Sequence, residues 1–292
     1  AYCYSLSGVI PPGLGKLSNL NYLKIWLSRN LGGEILSEIA ELINLTELYL
    51  RANGFSGSMP PEFGNLSKLK ILDLIENRFS GRIPEEIGNL TELRRMWLDQ
   101  NQFSGPIPNG LGKWINLEYL TIDDNNLSGP IPDSLGNSIS LEYLILSNNR
   151  QEGELPVSLS TLSKLWWLDL DNNRLSGIVP IEYGQLANLS YLVLSNNRLQ
   201  GEFPPLFDSL KDLGTLVISN NLFIGNIGLI FSEPPDKLKY FDISHNQFSG
   251  YIPWELGRRD LSALELNHNF ISGYLPYSLT YLKNCSVHVN HN

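Results

Sequence analysis

Positive charge, long apolar runs and cysteine are all in short supply in this chain. Lys and Arg number 21 against 30 Asp and Glu, a net charge of -9, which argues against nucleic acid or an anionic membrane as the main partner. A basic or neutral partner fits better. No apolar stretch approaches the roughly 20 residues needed to cross a bilayer, and no charged-then-apolar targeting segment opens the chain. No membrane span is therefore expected within it. Linker-like stretches are missing too, so its 292 residues are expected to form a single domain, 1–292. The two cysteines, Cys3 and Cys285, stand at opposite ends and leave no short-range disulfide to form.

What the chain has instead is a period. Asn53, Asn77, Asn101, Asn125, Asn149, Asn173, Asn197 and Asn221 follow one another at intervals of 24 residues, inside a recurring Leu-x-x-Leu-x-Leu-x-x-Asn-x-Leu/Phe-Ser-Gly-x-Ile-Pro. A period of that length predicts a solenoid, whose functional surface is repeated rather than gathered in one pocket. In one unit, Leu45, Leu48 and Leu50 point inward from a short strand while Thr46, Glu47, Tyr49 and Arg51 point outward. Asn53 satisfies backbone groups at the turn that follows. Phe55 fills the core, Gly57 permits a tight bend, and Met59-Pro60 opens a second extended stretch before Phe63-Gly64-Asn65-Leu66 closes the coil in a helical turn. Strand cores at Leu20, Leu45, Leu69, Leu93, Leu117, Leu141, Leu165, Leu189, Leu213, Leu238 and Leu261, with a last one ending at Val287-His288-Val289, predict twelve strands. The expected fold is an α/β solenoid, a superhelix with a concave parallel sheet, short second strands and helical turns on the convex side. Cys3 and Cys285 would then lie on the order of 50 Å apart, beyond the about 7 Å a disulfide allows between Cα atoms.

The run Gly81-Arg82-Ile83-Pro84-Glu85-Glu86-Ile87-Gly88-Asn89-Leu90, and its counterpart from Gly129-Pro130-Ile131-Pro132, resembles the plant-type extracellular leucine-rich repeat, and the resemblance extends over nearly the whole chain. That family implies a right-handed superhelix, secretion or display at the cell surface, and end caps carrying short-range disulfides, which are not visible here. The implied segment is part of a longer secreted protein. In a secreted chain the sequons at Asn44, Asn65, Asn89, Asn126, Asn188 and Asn284 are expected to carry glycans.

Two repeats depart from the pattern. Between Ile25 and Gly33 the chain is one residue longer than between Leu50 and Gly57, which predicts a bulge-like excursion on the concave rim. Similar insertions occur in polygalacturonase-inhibiting proteins and in plant peptide-receptor ectodomains. From Gly225 to Pro235 an Ile-Gly replaces Ile-Pro with one residue added, as in late repeats of the inhibitor family.

The outward strand positions form columns. The third strand residue reads Tyr22, Glu47, Ile71, Arg95, Tyr119, Tyr143, Trp167, Tyr191, Thr215, Tyr240, Ala263, flanked by Trp97 and Trp166. A sheet face open to water has no structural need for so many rings beyond cross-strand stiffening, and aromatic clusters of this kind mark recognition surfaces. Nearest the Asn ladder stand Asp99, Asp123, Asp124 and Asp171, suited to Lys or Arg side chains of a ligand. Arg51, Lys70, Arg94 and Arg95 lie toward the N-terminal side. The Arg-x-Arg pair with which many peptide receptors hold a carboxylate is absent from those strands. The candidate binding set is Arg51, Arg95, Trp97, Asp99, Tyr119, Asp123, Asp124, Tyr143, Trp166, Trp167, Asp171 and Tyr191.

An enzyme is not expected. Asp99 and Asp123 should lie about 5 Å apart, the glycosidase spacing, but every pair of adjacent coils creates it, and an open face excludes no water. His245, His268 and His291 form a column near His288 that reads as solvated ladder neighbours rather than a metal site, and no cofactor is implied. The reading is an extracellular module that binds a peptide or protein on its concave face, as in the ectodomain of a receptor kinase or receptor-like protein in signalling or defence, with a co-receptor as a further partner. The alternatives are a soluble cell-wall inhibitor of a secreted pathogen polygalacturonase or related hydrolase, and a structural or ice-binding wall protein.

Overall fold

The computed structural model describes residues 6–206 and 209–292. The chain forms two compact units, Ala1–Gln151 and Glu152–Asn292, built from the same coil. The first contributes the strands Tyr22–Lys24, Glu47–Tyr49, Ile71–Asp73, Arg95–Trp97, Tyr119–Thr121 and Tyr143–Ile145 to one parallel sheet. Within the second, Trp167–Asp169, Tyr191–Val193, Thr215–Val217, Tyr240–Asp242, Ala263–Glu265 and Ser286–His288 pair in parallel in the same way. These are the strands that the leucine spacing predicts, stacked in leucine-rich-repeat coils. In both units a second parallel sheet runs through the Leu/Phe-Ser-Gly segments, such as Gly54–Ser58, Arg78–Gly81 and Gln102–Gly105.

Each coil follows from its residues. Leu45, Leu48 and Leu50 are fully buried, and Phe55, Phe79 and Phe103 stack behind them with ring centroids 6.5 and 5.9 Å apart. Gly57 has φ +81, a left-handed conformation costly for a side chain, where the second strand bends. Pro60 sets the entry to a 3-10 turn, Pro61–Asn65, that buries Phe63. A Cβ on Gly64 would lie 2.3 Å from the carbonyl oxygen of Glu86, so the turns can stack this closely only without one.

The Asn ladder closes the edge between the sheets. Asn101 donates to the carbonyls of Leu74, Leu98 and Asp99 and accepts from the N–H of Phe79. One side chain thereby serves two adjacent coils and four backbone groups. The residue before the ladder is left-handed in coil after coil, with φ between 50 and 58 at Leu27, Ala52, Glu76, Gln100, Asp124, Asn172, Asn196, Asn220, His245, His268 and His291. From Asp124 on these are Asp, Asn or His, the side chains that best tolerate that conformation, whereas Leu27, Ala52, Glu76 and Gln100 adopt it without any such preference.

The long first repeat keeps its ladder position with Ser28, which is 1% exposed and whose N–H donates to Asn53 Oδ1 at 3.0 Å. The additional residue falls between Ser28 and Gly33, at the turn into the second-sheet strand Asn30–Glu34 rather than on the concave rim, because Leu27 and Ser28 keep the register of Ala52 and Asn53 and the excess is taken up only after the ladder. In the late irregular repeat, Ile227–Ile230 forms a helical turn capped by Asn226, which accepts from Gly228 N–H. Cys3, and with it the expectation about a Cys3–Cys285 bond, lies outside the described residues. Cys285 is a free thiol whose pKa is raised by burial and by the nearby Glu265.

Candidate functional site

In the first unit, parallel pairing sets Arg95, Tyr119 and Tyr143 side by side. The Tyr119 and Tyr143 rings stack at 4.5 Å with an interplanar angle of 13°, so each covers a face of the other. Both are therefore half-buried while their edges stay open. The Arg95 guanidinium lies 5.1 Å from the Tyr119 ring and 6.0 Å from the Trp97 ring. Glu118 holds Arg94 at 2.8 Å and Arg95 more loosely at 3.9 Å. Arg95 is thus left to the rings, which is cation-π geometry. Arg51 is exposed and stands apart from this group, its charge acting on Asp73.

The acidic residues behave differently from one another. Asp99 is not the surface carboxylate that its outward position implies. It is 8% exposed and accepts from the Thr121 hydroxyl at 2.6 Å and from the Asp123 N–H at 3.2 Å. The small Thr121 leaves room for the carboxyl to fold down onto the sheet. Burial, followed by the adjoining Asp123 carboxyl, pushes the Asp99 pKa well above the ordinary carboxylate range, against the opposing pull of the Thr121 and Asp123 donors. Asp123 is half-exposed and Asp124 fully so, and these two face solvent.

The Asp99 shift carries a pH dependence. The folded state holds a proton that the unfolded chain releases above its ordinary pKa near 4. Stability from this group is then complete below about 4 and is lost as pH rises through about 8. Urea midpoints measured from pH 4 to 9 should fall more steeply for the wild type than for Asp99→Asn. Equal slopes would show that Asp99 is ionised throughout.

In the second unit, Trp167 and Tyr191 stack at 4.3 Å and 9°, and Trp166 meets both edge-on at 5.9 and 4.9 Å. Trp166 is the exposed member of the three. Asp171 Oδ1 accepts from Ser195 Oγ at 2.7 Å and from Asn196 Nδ2 at 2.9 Å. Its carboxylate is thereby held in one orientation, two residues beyond the end of the strand Trp167–Asp169.

A further aromatic group, which the columns show only in part, occupies the first coils. Lys24 Nζ sits 3.6 Å from the Trp26 ring centroid and 5.0 Å from that of Tyr49, and Tyr22 packs against Tyr49 at 5.7 Å. Tyr49 donates to Glu47, and burial with that partner pushes its pKa up to about 12. Trp26 lies in the irregular repeat, where the 24-residue register that aligns the columns does not apply.

The histidines stack as a column, His245 on His268 at 4.1 Å and His268 on His291 at 4.5 Å. Desolvation, then the charges of the two neighbours, lowers the pKa of His268. His288 is drawn away to Glu265 at 2.6 Å. Among the described residues no group of three or more His, Cys, Asp and Glu is placed to hold a metal ion, and no helix is long and apolar enough to cross a membrane. Of the sequons, Asn65, Asn89, Asn188 and Asn284 are exposed, while Asn44 and Asn126 are half-buried and bonded to Lys68 and Arg150.

Comparison with known proteins bears on what such faces do. Leucine-rich-repeat profiles match residues 43–103 and 115–175, and further such profiles match 188–210 and 237–258. No curated relative matches the chain. Among solved structures, the plant peptide hormone receptor RGFR1 in complex with RGF2 is 34% identical with a TM-score of 0.90, over 98% of this chain and 50% of that one. The ectodomain of the Arabidopsis receptor kinase HAESA, in complex with an N-terminally extended IDA peptide hormone, is 33% identical with a TM-score of 0.79, over 96% and 51%. A plant ice-binding protein is 27% identical with a TM-score of 0.69, over 91% and 80%. The chain spans about half the length of the receptor ectodomains that it matches. With its repeated coil, its Asn ladder and these matches, the chain belongs to the leucine-rich-repeat family.

Proposed function

We propose that this chain is the ligand-recognition part of a plant-type extracellular receptor ectodomain and binds a peptide or protein on its aromatic sheet faces. The observation that carries the reading is the ring clustering: Arg95, Tyr119 and Tyr143 in one unit, and Trp166, Trp167 and Tyr191 in the other, all on open strands with carboxylates beside them. Stiffening the sheet needs cross-strand pairs, but not the exposed Trp166 or an Arg95 held over two rings. Rings with open edges, with Asp123 and Asp171 four residues farther along the coils of Tyr119 and Trp167, suit a ligand carrying both apolar and basic side chains. Similarity to receptors solved with peptide hormones supports the same class of ligand. A cell-surface location, a co-receptor as a further partner, a signalling or defence role and the absence of catalysis all belong to this reading.

Peptide-library selection on the whole chain, followed by titration of the selected peptide, tests it. Trp167→Ala or Tyr119→Ala should weaken binding about thirtyfold, the loss typical of a hot-spot ring. Asp123→Asn should act less strongly and mainly through salt-sensitive association. Glu86→Ala, exposed on a helical turn, serves as control. Weakening by the control alone would place the site elsewhere. Thermal hysteresis of the wild type, or inhibition of a polygalacturonase without any selectable peptide, would favour the ice-binding or inhibitor reading instead.

A further inference from the structure

We propose that a notch at the ladder edge of the first unit, between Arg29 and Arg78, is a binding site for a carboxylate. Its origin lies in small residues. In the following coils the positions on either side of the ladder Asn carry side chains, Glu76 and Arg78, then Gln100 and Gln102. The coil before them has Ala52 and Gly54, which leaves a gap one coil wide. The lengthened first repeat supplies Arg29 at the rim of this gap, and its Nη2 reaches Glu76 Oε1 at 3.3 Å, 47 residues away in sequence and beyond the intervening coil. The result is a cavity of about 300 Å³ lined by Arg29, Ala52, Asn53, Glu76, Asn77, Arg78 and Gln100.

Charge selects the occupant. Glu76 is already paired with Arg29, and among the described residues Arg78 has no ion-pair partner, so the notch carries one unopposed positive charge in a chain of net charge -9. The amides of Asn53 and Asn77 are committed to backbone carbonyls. The Arg29–Glu76 pair is exposed, with side chains 82% and 42% accessible, and exposed pairs contribute little. An entering carboxylate can therefore take the Arg29 fork from Glu76 at small cost while Arg78 binds its other oxygen, with the Gln100 amide at the wall. Guanidinium forks match the planar, two-oxygen geometry of a carboxylate. The notch fits a group of side-chain size, either a peptide's C-terminus or an acidic side chain. The peptide reading above is needed only for that source, because the notch is separate from the ring clusters.

The test uses the whole chain at low ionic strength, where surface charge is least screened. Four probes are titrated by NMR: acetyl-Ala-Ala with a free C-terminus, acetyl-Glu-Ala-amide, acetyl-Ala-Ala-amide, and inorganic phosphate. At least one carboxylate probe should bind about tenfold more tightly than the neutral amide, and the stronger of the two identifies the source. Arg78→Gln should remove that preference. Ala52→Gln, which fills the notch with the side chain that Gln100 carries at the equivalent left-handed position, should abolish binding; because Ala52 is 2% exposed, the urea midpoint of this variant is measured alongside, and Arg78→Gln, at an exposed side chain, reports on binding without that change in packing. Tyr119→Ala should leave probe binding intact, which separates this site from the sheet face. The proposal is overturned if no probe binds saturably, if the neutral amide binds equally well, if inorganic phosphate binds more tightly than both carboxylates, or if neither notch variant alters binding.

Discussion

Replacing Phe103 by alanine should lower stability by about 3 to 5 kcal/mol, the range for removing a fully buried aromatic side chain. Phe103 is wholly inaccessible, and it stacks on Phe79 at 5.9 Å and 4°. Its neighbour on the other side is Leu127 of the next coil, paired with Gly105 in the second sheet. A solenoid coil touches only its neighbours, so a void here has few other side chains available to relax into it. The measurement is the urea midpoint with its slope, since a changed slope would reveal one part unfolding ahead of the rest. The same change at Phe270, 67% exposed, should stay within about 0.5 kcal/mol. A Phe103→Ala midpoint as little changed as that of Phe270→Ala would mean that the aromatic stack does not hold the coils together.

Asn125→Ala should cost up to about 3 kcal/mol, from lost hydrogen bonds rather than lost volume. Asn125 Oδ1 accepts from the Phe103 N–H at 2.9 Å, and its Nδ2 donates to the carbonyls of Leu98, Ile122 and Asp123. The residue is 8% exposed, so water cannot fully replace these partners. Asn125→Asp keeps the acceptor but sets an anion against three carbonyl oxygens, and should destabilise as well. Amide hydrogen exchange separates the two variants: Phe103 N–H should lose protection in Asn125→Ala and retain part of it in Asn125→Asp. An unchanged midpoint in both would remove the structural role of the ladder. Because Phe103 belongs to both networks, the Phe103→Ala and Asn125→Ala costs should not simply add.

The repeat, its inward leucines, the Asn ladder and the aromatic columns were all legible in the sequence. Alternation along a strand is a local property, and a period of 24 residues brings equivalent positions into register wherever coils stack. Alternation alone puts Tyr119, Tyr143, Trp167 and Tyr191 on the outward face. Local pattern says which way a side chain leaves the strand. It does not say what that side chain meets.

Tertiary structure decided the rest. Asp99 leaves the strand outward, yet is buried because the neighbouring coil offers the hydroxyl of Thr121 and the N–H of Asp123. The residue preceding the ladder is left-handed even where it is Leu27, Ala52 or Glu76, which lack the tolerance of Asn, Asp and His for that conformation, because pairing with the next coil fixes the backbone there. The Arg29–Glu76 bridge exists only because the coil between them carries Ala52 and Gly54, and no motif within a single repeat encodes that combination. Each of these features depends on the side chains one coil or two coils away. The sequence alone determined the coil and the direction of its residues; stacking determined which of them remain free to bind, because accessibility and electrostatic environment are properties of neighbouring coils together.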